Sequence, residues 1–234
     1  MNPRAVFFDL DNTLTHRARS IASYARQFAA DFAGALDVET SGELVASIIT
    51  KEDCGGYLPP GSRFASIQEA IGFALANGSG LRWKSAPSAQ QLRAHWAGHF
   101  PQHAVEMPGA SKLLRQLNEQ GFHVGIVTNG AERSRKATVD ALGFGDAVGS
   151  LLSSERSGFR KPDPRIFLQA AAEAGLDARD CWYVGDHPVN DIVGAVSAGM
   201  QAVWLEGFHD WPSDQPEPRL RVACLSEVWE LLAC

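Results

Sequence analysis

The chain has 234 residues, of which 45% are hydrophobic and 21% are charged, as is typical of a globular protein with a sizeable core. No apolar run approaches the roughly 20 residues that span a bilayer, so we expect no membrane partner. The formal net charge is −6, and no basic run offers a binding surface to a nucleic acid polymer. These features exclude a membrane-spanning protein and disfavour a nucleic acid-binding one.

The cysteines and the amino terminus both predict a cytoplasmic protein. The four cysteines are scattered and show neither paired nor zinc-ligand spacing, which is typical of reduced thiols; they are Cys54, Cys181, Cys224 and Cys234. The apolar run at residues 5–8 ends at Asp9, so it is too short for a secretory signal.

Short apolar runs separated by helical patterns predict an α/β fold. The first run, at residues 4–9, ends in an acid, and a similar run follows at 122–127. Both are typical of strands that are buried on two faces, as in a parallel sheet. Further strands are predicted at 148–152, 181–184, 201–205 and 221–224.

Amphipathic segments between these strands predict the helices of a Rossmann-like sheet that is covered on both faces. One helix carries apolar residues at i, i+3, i+4 and i+7, and another begins at Asp163-Pro164 with an N-cap followed by proline. The first stripe is Ala110, Leu113, Leu114 and Leu117. Other helices are predicted over 131–142 and over 226–232, and a further one has an apolar stripe of Ile192, Ala195, Val196 and Gly199 on one face.

Residues 16–105 interrupt this alternation. They are rich in alanine, have helical periodicity and contain no clear strand, with apolar stripes at 21–36, 43–49, 64–76 and 92–100. We interpret them as a helical insertion after the first strand, between core segments 1–15 and 106–234.

Polar residues follow several predicted strands at the point where each strand ends. Ligands of parallel α/β sheets gather beyond these carboxyl ends, so we expect the side chains to converge there. They are Asp9 and Asp11 after the first strand, Thr128 and Asn129 after the second, Lys161 in a later loop, and Asp186 and Asp191 after the strand at 181–184.

The chemistry of these residues predicts a site for a metal ion and an anion. Four carboxylates at one sheet edge would repel each other without a cation among them, and a set of oxygen ligands suits a hard ion, Mg²⁺ above all. A lysine and a hydroxyl at a helix amino terminus suit an anion with several oxygens. The combination favours phosphoryl chemistry.

Four ordered motifs carry a family resemblance. They are Asp9-Leu-Asp-Asn-Thr-Leu14, Val127-Thr-Asn-Gly130, Lys161-Pro-Asp163 and Gly185-Asp-His-Pro-Val-Asn-Asp191. Together they resemble the motifs of the haloacid dehalogenase superfamily, in its phosphatase branch with a helical cap inserted after the first motif. The resemblance implies that residues 16–105 are a cap that closes over the active site and determines substrate specificity.

The resemblance also implies roles for the acids. Asp9 would attack phosphorus and form an aspartyl-phosphate, and Asp11 would protonate the leaving oxygen and then activate water. Mg²⁺ would be bound by Asp9, the backbone carbonyl of Asp11 and Asp186. Asp191 would support the site by holding a metal-bound water or Lys161, although on its own it could serve only the dipole of its helix.

The remaining motif residues would bind the phosphoryl oxygens. The resemblance assigns this role to the Thr128 hydroxyl, the Asn129 backbone N–H and the Lys161 ammonium. Plainer interpretations are a helix cap at Thr128-Asn129 and a solvated surface charge at Lys161.

The leading hypothesis is thus a Mg²⁺-dependent phosphatase of a small phosphorylated metabolite, of the sugar phosphate, nucleotide or phosphoglycolate type. Its rivals are a phosphomutase, a non-catalytic ligand-binding protein and a metal-independent 2-haloacid dehalogenase. The resemblance disfavours the last, since dehalogenases lack an acid at the position of Asp11. We expect a monomer or a homodimer.

Overall fold

The computed structural model describes residues 3–36, 40–59, 61–78 and 80–233. The chain forms two compact units, Met1–Thr15 with Glu106–Cys234, and His16–Val105. Residues 1, 2 and 234 of the predicted core segments, Cys234 among them, lie outside the described residues, as do residues 37–39, 60 and 79 of the predicted insertion.

A six-stranded sheet forms the centre of the first unit. Its strands are β1 (Ala5–Phe8), β2 (His123–Thr128), β3 (Ser150–Ser153), β4 (Cys181–Gly185), β5 (Gln201–Leu205) and β6 (Leu220–Val222). They lie in the order β3-β2-β1-β4-β5-β6, and every neighbouring pair is parallel. The predicted α/β fold is therefore confirmed, and the strand ends differ from those predicted by no more than two residues.

The strand order reverses at β1. The chain runs outward from β1 to β2 and β3, and then returns to the opposite side of β1 with β4. Phe8 lies beside Ile126 of β2 and Val184 of β4, and the Asp9 N–H donates to the Val184 carbonyl at 2.9 Å. Residues just beyond β1 and β4 therefore lie at the reversal of strand order, where open α/β sheets bind ligands.

The second unit is helical. It contains α1 (Arg17–Asp31), α2 (Gly42–Asp53), α3 (Ile67–Asn77), α4 (Ala89–His99) and the 3₁₀ turn Phe100–His103. Serine side chains cap three of these helices by accepting from backbone N–H groups of the first turn; they are Ser41, Ser66 and Ser88. Tyr24, Phe28 and Ile49 are among the fully buried residues of its own apolar core.

The helices of the sheet unit cover both faces of the sheet. They are α5 (Ala110–Glu119), α6 (Glu132–Ala141), α7 (Ser154–Ser157), α8 (Pro164–Glu173), α9 (Gly194–Ser197) and α10 (Leu225–Ala233). Val6 and Phe8 pack in one core with Leu113 of α5, whereas Phe7 packs in the other with Phe167 of α8. This alternation follows from the two-residue period of a strand. No helix in the described part of the chain combines the length and hydropathy of a membrane span.

The helix predicted around residues 192–199 is not regular. A π-helical turn, Pro188–Val193, precedes α9, and the Ile192 N–H donates to the His187 carbonyl five residues earlier. Ile192 and Ala195 are buried as predicted, but Val196 is 58% exposed, so the predicted apolar stripe is wrong there. The extra residue in a π turn rotates the following residues away from the register of a regular α-helix.

Candidate active site

Four of the predicted polar residues converge at the carboxyl edge of the sheet. Asp9 follows β1, Asp186 follows β4, Asp191 lies in the π turn and Lys161 lies in the loop before α8. All four are at most 5% exposed, so the interpretation of Lys161 as a surface charge is wrong. Charged groups are seldom buried to this extent unless they are paired.

Lys161 is the centre of the group. Its Nζ donates to Asp9 Oδ1 at 2.6 Å, to Asp191 Oδ1 at 2.6 Å and to the Tyr183 hydroxyl at 2.9 Å. An ammonium has three protons to donate, and here each has a partner. These contacts fix the Nζ beside Asp9 and make burial of the charge tolerable.

Tyr183 was not among the residues predicted for the site. It lies in β4, and its hydroxyl accepts from Lys161 Nζ while donating to the Val127 carbonyl of β2 at 2.8 Å. The alternation of strand residues could have placed it on the same face as Gly185 at the end of β4. Its hydroxyl therefore links Lys161 to the backbone beside the predicted Thr128-Asn129 loop.

We expect Tyr183→Phe to lower the free energy of unfolding by about 1–3 kcal/mol, because the Val127 carbonyl would lose a buried donor. Urea unfolding followed by tryptophan fluorescence would measure this. An unchanged midpoint would mean that the hydroxyl contributes no net stability at this position.

Asp191 is held entirely by protein donors. Its Oδ1 accepts from Lys161 and its Oδ2 accepts from the His187 backbone N–H at 2.9 Å. A Cβ at position 185 would lie 2.5 Å from the Asp191 side chain, so Gly185 is required for this close approach. Asp191 therefore orients Lys161.

The acids of the site carry an excess of negative charge. Oxygens of Asp9, Asp186 and Asp191 all lie within 4.8 Å of one another. Burial raises the pKa of Asp9 to about 6, although Lys161 opposes this, and burial followed by the charge of Asp191 raises the pKa of Asp186. Three carboxylates and one ammonium leave a net charge of −2 when ionised, so the donor set fits a hard divalent cation.

The pKa of Lys161 is also raised, but its cause is the charge of the neighbouring acids and not burial. Burial lowers the pKa of Lys161, but the carboxylates of Asp191 and Asp9 together raise it above its ordinary value. The lysine therefore stays charged beside Asp9.

Asp186 has further neighbours that were not predicted. Its backbone carbonyl accepts from Trp204 Nε1 at 2.9 Å, and its Oδ2 lies 3.3 Å from His209 Nε2, which pairs it with an imidazole. His209 follows β5. Because ligands of parallel sheets gather beyond the carboxyl ends of the strands, the same criterion that selected the other site residues could have included it.

The predicted phosphate-binding loop is joined to Lys161 through the backbone. The Asn129 side chain accepts from the Lys161 N–H at 2.9 Å and donates to the Lys161 carbonyl at 3.1 Å. Thr128 is the buried last residue of β2.

The Asp11 carboxylate does not contact Lys161 through any hydrogen bond given above; its Oδ2 accepts from Arg135 Nη1 of α6 at 2.7 Å.

Residues 3–199 match the family described as haloacid dehalogenase-like hydrolase. This chain belongs to that family. The match begins before β1 and extends through α9, so it includes every residue of the site described above except His209 and Trp204.

Relatives of this haloacid dehalogenase-like hydrolase include phosphatases. It is 28% identical to a glyceraldehyde 3-phosphate phosphatase of Pyrococcus abyssi, over 87% of this chain and 81% of the relative. It is 30% identical to a phosphoglycolate phosphatase of Rhodospirillum rubrum, over 86% of this chain and 78% of the relative.

Among solved structures, the hydrolase resembles a 2-haloacid dehalogenase from Pseudomonas syringae pv. Tomato DC3000. The two are 28% identical, the TM-score is 0.62, and the alignment covers 99% of this chain and 98% of the other. The chain is therefore similar to both kinds of enzyme, so the comparisons alone do not choose between phosphate and halide chemistry.

Proposed function

We propose that this hydrolase is a Mg²⁺-dependent phosphatase of small phosphomonoesters. The observation that carries the proposal is the buried contact of 2.6 Å between Lys161 Nζ and Asp9, with Asp186 and Asp191 beside it. Phosphatase relatives support the same activity.

Charge neutralisation is the first requirement of the reaction. A carboxylate is a poor nucleophile toward a phosphate dianion unless positive charge surrounds both. Lys161 supplies one positive charge next to Asp9. Asp9, Asp186 and the Asp11 backbone carbonyl would hold Mg²⁺, which supplies Lewis acidity toward the phosphoryl oxygens when bound.

The proposed reaction has two steps. An Asp9 carboxylate oxygen attacks phosphorus, the bond to the leaving oxygen breaks, and that oxygen takes a proton from Asp11. Asp11, now a carboxylate, then takes a proton from water as the water oxygen attacks phosphorus, and the bond between phosphorus and the Asp9 oxygen breaks. The products are the alcohol and inorganic phosphate, and both acids return to their starting states.

Thr128 and Asn129 complete the proposed phosphate site. The hydroxyl of Thr128 and the backbone N–H of Asn129 would bind phosphoryl oxygens at the end of β2. The two hydrogen bonds between the Asn129 side chain and the Lys161 backbone support this assignment, because they keep the loop and the lysine in register.

Asp11 favours a phosphatase over a dehalogenase. An alkoxide leaving group needs a proton, whereas a halide leaves as a stable anion without one. The net charge of −2 on the buried acids and Lys161 likewise favours a site that takes a divalent cation.

The substrate is proposed only as a class. We propose that it is a small phosphorylated metabolite of the sugar phosphate, nucleotide or phosphoglycolate type, and that residues 16–105 act as the cap that selects it. That unit has its own apolar core, which supports a separate role.

The test is phosphate release from a panel of phosphorylated metabolites. We expect release in the presence of Mg²⁺, its loss after treatment with EDTA, and its recovery when Mg²⁺ is added back. No chloride release from 2-chloropropionate is expected. Chloride release without metal would indicate a dehalogenase, and isomerisation of a sugar phosphate without phosphate release would indicate a mutase.

A further inference from the structure

Arg135 binds the acid that the proposed mechanism uses for proton transfer. It lies in the first half of α6, and its Nη1 donates to Asp11 Oδ2 at 2.7 Å. The side chains of Arg135 and Asp11 are 17% and 21% exposed, so the pair is largely shielded from water. The mechanism described above assigns no role to Arg135.

Gly130 makes room for this arginine. Its φ is +144°, and a Cβ at this position would overlap the Nε of Arg135. The guanidinium therefore occupies the volume that a side chain at position 130 would fill. This places Arg135 against the Thr128-Asn129-Gly130 loop and restricts its movement.

One hydrogen-bond donor of Arg135 is left unsatisfied in this position. Its Nε is buried and has no hydrogen-bond partner among the residues that the structure describes. A buried donor without a partner opposes folding, so the ion pair with Asp11 offsets a loss elsewhere in the same side chain. Arg135 therefore leaves its Nε without a partner while its Nη1 donates to Asp11.

We propose that Arg135 is a positioning residue: by donating to Asp11 Oδ2, it holds the protonated Asp11 carboxyl group so that its other oxygen, Oδ1, carries the proton that the leaving group takes. The inference rests on the proposed phosphatase mechanism, in which Asp11 is the acid. Proton transfer requires the acid within hydrogen-bond reach of the leaving oxygen, and an acid free to rotate spends less time there. A guanidinium fixed between Gly130 and Asp11 removes that freedom.

The leaving group provides the test. Protonation matters little for p-nitrophenolate, which is a weak base, and matters greatly for phenolate or an alkoxide. For Arg135→Met we expect kcat/KM for phenyl phosphate and glycerol 3-phosphate to fall by roughly ten- to a hundredfold. We expect kcat/KM for p-nitrophenyl phosphate to change by less than about threefold on the same grounds.

Two further variants act as controls. Arg135→Lys retains a donor that can reach Asp11 and should recover most of the lost activity toward phenyl phosphate. Arg133→Met changes an exposed arginine of the same helix and should leave all three substrates unaffected. Inhibition by inorganic phosphate should be the same in Arg135→Met as in the wild type, because a positioning role does not involve binding the phosphoryl group.

Other outcomes would overturn the inference. An equal loss for all substrates with weaker phosphate inhibition would make Arg135 a phosphate ligand. An equal loss of kcat/KM for all substrates with a lower urea midpoint would make Arg135 a structural residue. An unchanged kcat/KM for all three substrates would show that Arg135 has no role in the reaction. A wild-type protein that hydrolyses none of the three substrates with Mg²⁺ would instead contradict the proposed function on which the inference rests.

Discussion

Asp9→Asn should abolish phosphatase activity, with kcat/KM falling by at least about a thousandfold, or about 4 kcal/mol of activation free energy. An amide nitrogen or oxygen cannot replace the carboxylate as the nucleophile. The fold should survive, because Lys161 keeps its contacts with Asp191 and Tyr183. Steady-state phosphate release in Mg²⁺ and circular dichroism of the same sample would measure the two effects.

Asp140→Asn is the matched control for this experiment. Asp140 is an exposed residue of α6, so the same chemical change there should leave kcat/KM unchanged. Appreciable activity in folded Asp9→Asn would contradict the assignment of Asp9 as the nucleophile. Loss of the circular dichroism signal would instead show that Asp9 is needed for folding.

Lys161→Met should destabilise the metal-free protein by about 3–5 kcal/mol, because it leaves buried carboxylates without their cation. Both Asp9 and Asp191 lose a contact of 2.6 Å, and the Tyr183 hydroxyl loses a donor. Activity should also fall, since no positive side chain would remain on Asp9. Urea unfolding in EDTA would measure the stability.

Two comparisons make the result specific to the buried pair. Lys136→Met removes a lysine that is 63% exposed and pairs with Glu132 on the surface of α6, so it should cost no more than about 1 kcal/mol. Adding Asp191→Asn to Lys161→Met should recover part of the lost stability by removing one buried charge. Equal midpoints for Lys161→Met and Lys136→Met would refute the idea that the acids depend on Lys161.

The strands and most helices could be predicted because their signals are local. β5 coincides with the apolar run at 201–205, β4 extends the run at 181–184 by one residue, and α8 begins at the proline after the Asp163 N-cap. The π turn before α9 could not be predicted in this way. The apolar residues around Ile192 have the spacing of a regular helix, and the extra residue of a π turn leaves no compositional signal.

The candidate site shows the same division. The sequence by itself supplied the four acids, Lys161 and the Thr128-Asn129 pair, because each stands beyond the end of a strand or in an ordered motif. It did not supply Arg135, because nothing near that helix residue in the chain indicates a contact with Asp11. Strand alternation could have placed Tyr183 and the strand-end rule could have included His209, but only the structure shows their contacts with Lys161 and Asp186.

The sequence therefore determined the parallel α/β fold and the chemical groups at the edge of the sheet. Only the tertiary structure decided which groups pair, such as Lys161 with Asp9 across 152 positions and Arg135 with Asp11 across 124. The physical reason is that hydrophobic periodicity and capping depend on neighbours in the chain, whereas the distance between two charged atoms depends on the strand order that brings them together.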